Sequence, residues 1–177
     1  NRYGLARMNF QRGAVNPPGN DGAGGCIDIQ TNSNTGVDPV TGMPIAQVRR
    51  ICPFAVLVPS DHDAYRTTSR EVFSVLGEFT PLLEEVSVDE AFLDISGLGL
   101  LFASPAAVAE RIRETVRGRL GLPCSIGVAT TKLVAKMASR DAKPDGVVVV
   151  VAGSELGFLH GKSVRSLWGV GEATHAR

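Results

Sequence analysis

Between Val86 and Ile95 the chain reads Val-Ser-Val-Asp-Glu-Ala-Phe-Leu-Asp-Ile, two apolar stretches on either side of adjacent acids. Apolar runs broken by a short polar step are how a β-hairpin is written, and the break here falls at Asp89-Glu90. In mid-strand, neighbouring side chains point to opposite faces, so these two carboxylates could not share a ligand. At a hairpin tip the backbone reverses, and both can converge on one cation. Asp-Glu is also a poor tight turn, because two-residue hairpin loops favour Asn-Gly or Asp-Gly. A turn written against local preference points to a second task. Hard divalent cations such as magnesium take oxygen ligands, typically one or two carboxylates plus substrate phosphates. The plain alternative is a solvated acidic turn, since exposed acids at turns are common.

The rest of the chain gives this hairpin a setting. Pro44 suits the first turn of a short helix to about Arg50, and Ala55 to Val58 reads as a buried strand stopped by Pro59. Tyr65, Val72, Val75, Leu76 and Phe79 follow at helical spacing, which predicts a helix over 61–78 with its N-cap between Ser60 and Asp63. Residues 105–119 form a second amphipathic helix with Val108, Ile112 and Val116 on one stripe. A strand over 122–129, a helix over 131–142, a Lys143-Pro144-Asp145-Gly146 turn and a strand over 147–151 complete the order β, α, ββ, α, β, α, β. That order predicts an α+β fold, a mixed sheet of ferredoxin-like or polymerase-palm type with helices on one face. Residues 1–41 are rich in turn chemistry, as in Asn16-Pro17-Pro18-Gly19 and Thr31-Asn32-Ser33-Asn34, and read as a poorly ordered leader. Only Cys26 to Ile29 there resembles a strand.

Charge is balanced overall but unevenly placed. Asp61 to Leu100 holds nine acids against two basic residues, whereas Thr131 to Arg177 holds seven basic residues against four acids. An acidic centre beside a basic flank suits a site that holds cations while its neighbour holds phosphate. Lys132, Lys136 and Arg140 recur at helical spacing, which fits a phosphate-facing stripe or, more commonly, the wet side of a helix. Cys26, Cys52 and Cys124 have no paired spacing, so they fit free thiols in a reducing, cytoplasmic setting better than a disulfide framework or zinc site. His62, His160 and His175 lack metal-like spacing, and there is no P-loop. No apolar run approaches the roughly 20 residues of a membrane span.

The string Ser87 to Gly97 resembles the signature of the Y-family (translesion) DNA polymerases, the group that includes bacterial DNA polymerase IV. Four further segments match in the family's order: Gly42 to Gln47 with Arg49 to Pro53, Asp63 to Arg66 with Ser69, Cys124 to Ala129, and Lys132 to Ser139 with Ala142 to Gly146. The resemblance spans roughly residues 42–172. It implies a partial palm over 42–160 and the start of a helix-hairpin-helix thumb over 161–177. It implies that Asp89 and Glu90 bind catalytic magnesium for two-metal nucleotidyl transfer, and that Lys143 contacts the incoming deoxynucleoside triphosphate. Leu167 to Thr174 is similar to the thumb hairpin, where Gly169 and Gly171 would let backbone N–H groups reach a DNA phosphate. Implied partners are primer–template DNA, including damaged DNA, and a sliding clamp contacted through regions outside this chain.

The chain departs from the family pattern at its start. A Y-family palm opens with a strand bearing another metal aspartate, and no such strand is visible; Asp28 is the nearest candidate, in the wrong context. Tyr3 and Arg7 do not match the family's triphosphate-holding pair. The expectation is a fragment: a palm lacking its usual first strand, weak as a polymerase by itself. The alternative is an inactive truncated palm that retains only DNA or nucleotide binding. A nucleotide cyclase would use similar carboxylates, but Lys143 and the glycine turn favour a polymerase.

Overall fold

The computed structural model describes residues 5–10, 29–31, 44–51, 53, 57–59, 61–171 and 174. In chain order its elements begin with β1 (Leu5–Phe10), β2 (Ile29–Thr31), α1 (Ile45–Ile51), β3 (Leu57–Pro59) and α2 (His62–Gly77). The hairpin strands β4 (Leu83–Ser87) and β5 (Glu90–Asp94) follow, then a 3₁₀ turn at Ser96–Leu100 and α3 (Pro105–Leu120). The chain continues through β6 (Cys124–Ala129), α4 (Lys132–Asp141), β7 (Val147–Val149), α5 (Glu155–His160) and a 3₁₀ turn at Val164–Ser166. Two compact units result: residues 1–12 with 67–177, and residues 13–66.

The first unit is built on a five-stranded sheet of order β4-β5-β1-β6-β7. β1 runs antiparallel to both β5 and β6, and β7 runs parallel to β6. Strand β5 is buried through Ala91, Phe92 and Leu93, so it alternates between two packed faces. Ala91 and Leu93 join Val72 and Leu76 of α2, Ile112 and Val116 of α3, and Cys124, Ile126 and Val128 of β6. Phe92 joins the other cluster, with Ala129 and Val134, Ala135 and Ala138 of α4. Each fully buried Val, Leu or Ile contributes about 1.5–3 kcal/mol to such a core.

Helices therefore cover both faces, not one as the element order suggests. The reason lies in β6, whose six residues are all buried. A strand apolar or small on both sides needs cover on both. Gly127 makes the second layer possible, because a Cβ there would meet the α4 backbone at Ala135 and Ser139, with Ala138 C only 2.8 Å away.

The expected absence of a first strand is also corrected. Leu5–Phe10 occupies the centre of the sheet, pairing Asn9 with Glu90 on one side and with Ser125 on the other. Ala6-Arg7-Met8-Asn9-Phe10 alternates apolar and polar residues, a short strand signal that reading 1–41 as a leader passes over, whereas its central place in the sheet is set by partners far away in sequence. Conversely, β3, which reads as part of the main order, pairs in parallel with β2 in a separate two-stranded sheet of the second unit. Asp28, Cys26, Cys52, Ala55 and Val56 lie outside the described residues.

Helix ends follow their capping chemistry. The Asp61 carboxylate accepts from the Ala64 N–H at 2.9 Å, and Pro44 C=O accepts from Gln47 and Val48 to open α1. Ser104 caps α3 by accepting from Ala107 N–H, with Pro105 at the first helical position and Gly121 (φ 66°) closing the helix. Thr131 caps α4 through Val134 N–H. Among the described residues, no helix is long and apolar enough to cross a membrane.

Candidate functional site

The hairpin forms as its sequence predicts, with its turn one residue earlier. Ser87 pairs with Glu90, which leaves Val88-Asp89 as the two-residue loop and makes Glu90 the first residue of β5. Asp89 is half-buried and its carboxylate accepts from the Ser87 hydroxyl at 2.6 Å, while its own N–H donates to Ser87 Oγ at 3.4 Å. Ser87 thus fixes the carboxylate at the tip. Glu90 shares the α4 face with Phe92, two residues on. Its side chain is 19% exposed and accepts from Lys136 Nζ at 3.0 Å. Asp94, last in the strand, accepts from the hydroxyl and N–H of Ser96 at 2.6 and 2.9 Å. Those Ser96 bonds, the hydroxyl first, hold its pKa below the usual 3.8, in keeping with a local structural role.

Helix α4 supplies a row of cations, and each is engaged. Lys132 pairs with Glu84 and stands 5.4 Å from the centre of the Phe92 ring. Lys136 meets Glu90 and lies 4.7 Å from the centre of the Trp168 ring. Arg140 donates to the Ser166 carbonyl at 3.0 Å. Four helical residues rise about 6 Å and two strand residues about 7 Å, so Lys132 and Lys136 fall level with Phe92 and Glu90. This row is neither a bare phosphate stripe nor a merely wet face. It ties α4 to the hairpin and to the Trp168 segment, a role that helical spacing alone does not reveal.

Strand register brings the other candidates to the same end of the sheet. Glu90 is level with Asn9, Asn9 with Ser125, and Ile126 with Val147, while Ile126 N–H donates to Gly146 C=O at 2.9 Å. The Lys143–Gly146 turn therefore lies at the hairpin-tip end, three strand spacings or about 14 Å across. Lys143 is exposed there. The turn is held by Asp145, which is 17% exposed and takes Arg113 at 3.2 Å, Arg117, and the Cys124 N–H at 3.4 Å. Sequence reading passes over Asp145, because its partners on α3 are some thirty residues away. Gly169 has φ 86°, and Val170 N–H donates to Leu167 C=O at 3.1 Å, closing a tight turn around Trp168-Gly169. Trp168 packs with its ring centre 6.3 Å from that of Phe92. Gly171 is described, whereas most of the following segment, where the second thumb helix is expected, lies outside the described residues.

Two hard carboxylates at one strand end fit a divalent cation whose remaining ligands come from water and substrate phosphate. Among the described residues, no group of three or more His, Cys, Asp or Glu side chains forms a complete cage.

Comparison with known proteins gives the family. Residues 33–140, more than half of the chain, match the model of the impB/mucB/samB family. The chain belongs to this family of Y-family polymerases. DNA polymerase IV 2 of Mesorhizobium japonicum is 48% identical over 136 residues, 77% of this chain and 33% of the relative. DNA polymerase IV of Treponema denticola is 39% identical over 137 residues, 77% of this chain and 35% of the relative. An insertion ternary complex of Dbh DNA polymerase superposes with a TM-score of 0.70 at 27% identity, covering 75% of this chain and 39% of that one. DinB from Sulfolobus solfataricus gives a TM-score of 0.71 at 27% identity over 77% of this chain and 40% of that one. This Y-family chain spans about a third of the length of the curated relatives it matches.

Proposed function

We propose that this chain is the palm of a DNA-directed DNA polymerase, a nucleotidyltransferase acting in translesion synthesis and DNA repair. The observation that carries the reading is the pair Asp89 and Glu90, half-buried at the hairpin end of the sheet, with the Lys143 turn at the same end. In this reading Asp89 and Glu90 hold magnesium. Bound there, magnesium would lower the pKa of the primer 3′-hydroxyl and neutralise charge on the departing pyrophosphate. Lys143, on a turn pinned by Asp145, reaches a phosphate of the incoming deoxynucleoside triphosphate. Gly169 and Gly171, on the turn after α5, admit a phosphate of primer–template DNA close to the backbone. Ser87 keeps Asp89 oriented, so the carboxylate does not have to be ordered when substrate arrives.

Among the described residues the donor set is short. Strand β1 contains no Asp or Glu, and the residue across from Glu90 is Asn9. Fewer charged ligands mean weaker metal binding and looser reactive geometry, so catalysis by this chain is expected to be slow. The test is single-nucleotide extension of a primed template with magnesium, comparing the chain with Asp89→Asn and Glu90→Gln. Each substitution is expected to lower the rate by about 100-fold or more, the scale of losing a charge-stabilising group. Extension at an undiminished rate in both variants would overturn the reading.

A further inference from the structure

Lys136 is placed where a metal-binding site has least use for it. Its ammonium lies 3.0 Å from Glu90 Oε2, with the two side chains 13% and 19% exposed. The same ammonium stands 4.7 Å from the centre of the Trp168 ring. Trp168 has its own supports, since its ring packs against Phe92 and its segment is tied to α4 through Arg140 and the Ser166 carbonyl. The lysine backbone is fixed in mid-α4, but four methylenes let the ammonium swing.

From this geometry we propose that Lys136 is a resident counter-ion of the carboxylate site: it neutralises Glu90 until a divalent metal displaces it, and the Trp168 ring keeps the displaced ammonium nearby. The inference rests on the reading of Asp89 and Glu90 as metal ligands. A half-buried carboxylate without a partner is costly, and Lys136 removes that cost in the metal-free state. A metal ion on Glu90 competes for the carboxylate that the ammonium now neutralises, and two cations a few ångströms apart repel. An ammonium over an indole face is favourable when partly desolvated, so the swing has a destination. Metal affinity is thereby set lower than the two carboxylates alone would give. Lys132 is the natural control, because it faces Glu84 and Phe92 instead of Glu90.

The test is direct titration of the chain with Mn²⁺, read in parallel by electron paramagnetic resonance and by fluorescence of Trp168, the single tryptophan. Wild type is expected to show a saturable change in Trp168 emission that follows metal occupancy. Lys136→Met, which keeps the bulk and removes the charge, is expected to bind Mn²⁺ on the order of three- to tenfold more tightly and to lose the emission change. Lys136→Arg should retain both wild-type behaviours, and Lys132→Met should match wild type. Mn²⁺ binding that Glu90→Gln abolishes but Lys136→Met leaves unchanged or weakens would overturn the counter-ion role while sparing the metal site. Absence of binding in wild type and Lys136→Met alike would overturn both. Binding that appears only in Lys136→Met supports the role in its strongest form.

Discussion

Cys124 opens β6 with its thiol fully buried, and desolvation pushes its pKa from 9.0 to about 12 even though Arg113 and Arg117 pull the other way. The thiolate is the reactive form, so native Cys124 is expected to resist iodoacetamide at pH 8 by about 100-fold or more relative to the unfolded chain, read by site-resolved mass spectrometry. Between pH 9 and 12 the folded state keeps a proton that the unfolded state loses, so this residue's contribution to stability is intact below pH 9 and declines as pH rises. Of the candidate site residues, Asp89 and Glu90 are legible because two adjacent acids interrupt two apolar stretches. Lys136 and Asp145 are not, since each matters through a partner more than twenty residues away.

At the scale of elements, two contacts position the site. Gly127→Ala places a methyl into the backbone of α4 and is expected to lower stability by about 3 kcal/mol, followed by urea denaturation. If Mn²⁺ affinity of the residual folded protein also changes, α4 carries Lys136 relative to Glu90 as the contact pattern implies. Asp145→Asn removes the carboxylate that gathers Arg113, Arg117 and the Cys124 N–H, and is expected to cost about 1–3 kcal/mol on the same measurement. Helices α2, α3 and α4 and the hairpin are readable from periodicity because each has one long apolar stripe or alternation. The short α5, at six residues, has too few turns for a periodic signal.

For the molecule as a whole, β1 joins β5 to β6, so the hairpin is attached to the α3–β6–α4 layer through a strand near the start of the chain. Deleting residues 1–10 would remove β1 and leave β5 and β6 with unpaired edges in the middle of the sheet. The expected result is loss of the cooperative thermal transition seen by circular dichroism, whereas a dispensable leader would leave it unchanged. The sequence by itself determined the family, the α+β class, the first four helices and the hairpin that carries Asp89 and Glu90, because these rest on local periodicity, turn chemistry and a contiguous motif. Only the tertiary structure decided which strand lies at the centre, that helices cover both faces, and that Lys136 reaches Glu90. Those depend on strand register and on contacts between residues distant along the chain, which leave no mark in any local window. The hairpin at Asp89-Glu90 belongs to both accounts: its residues are written in the sequence, and its neighbours are chosen by the fold.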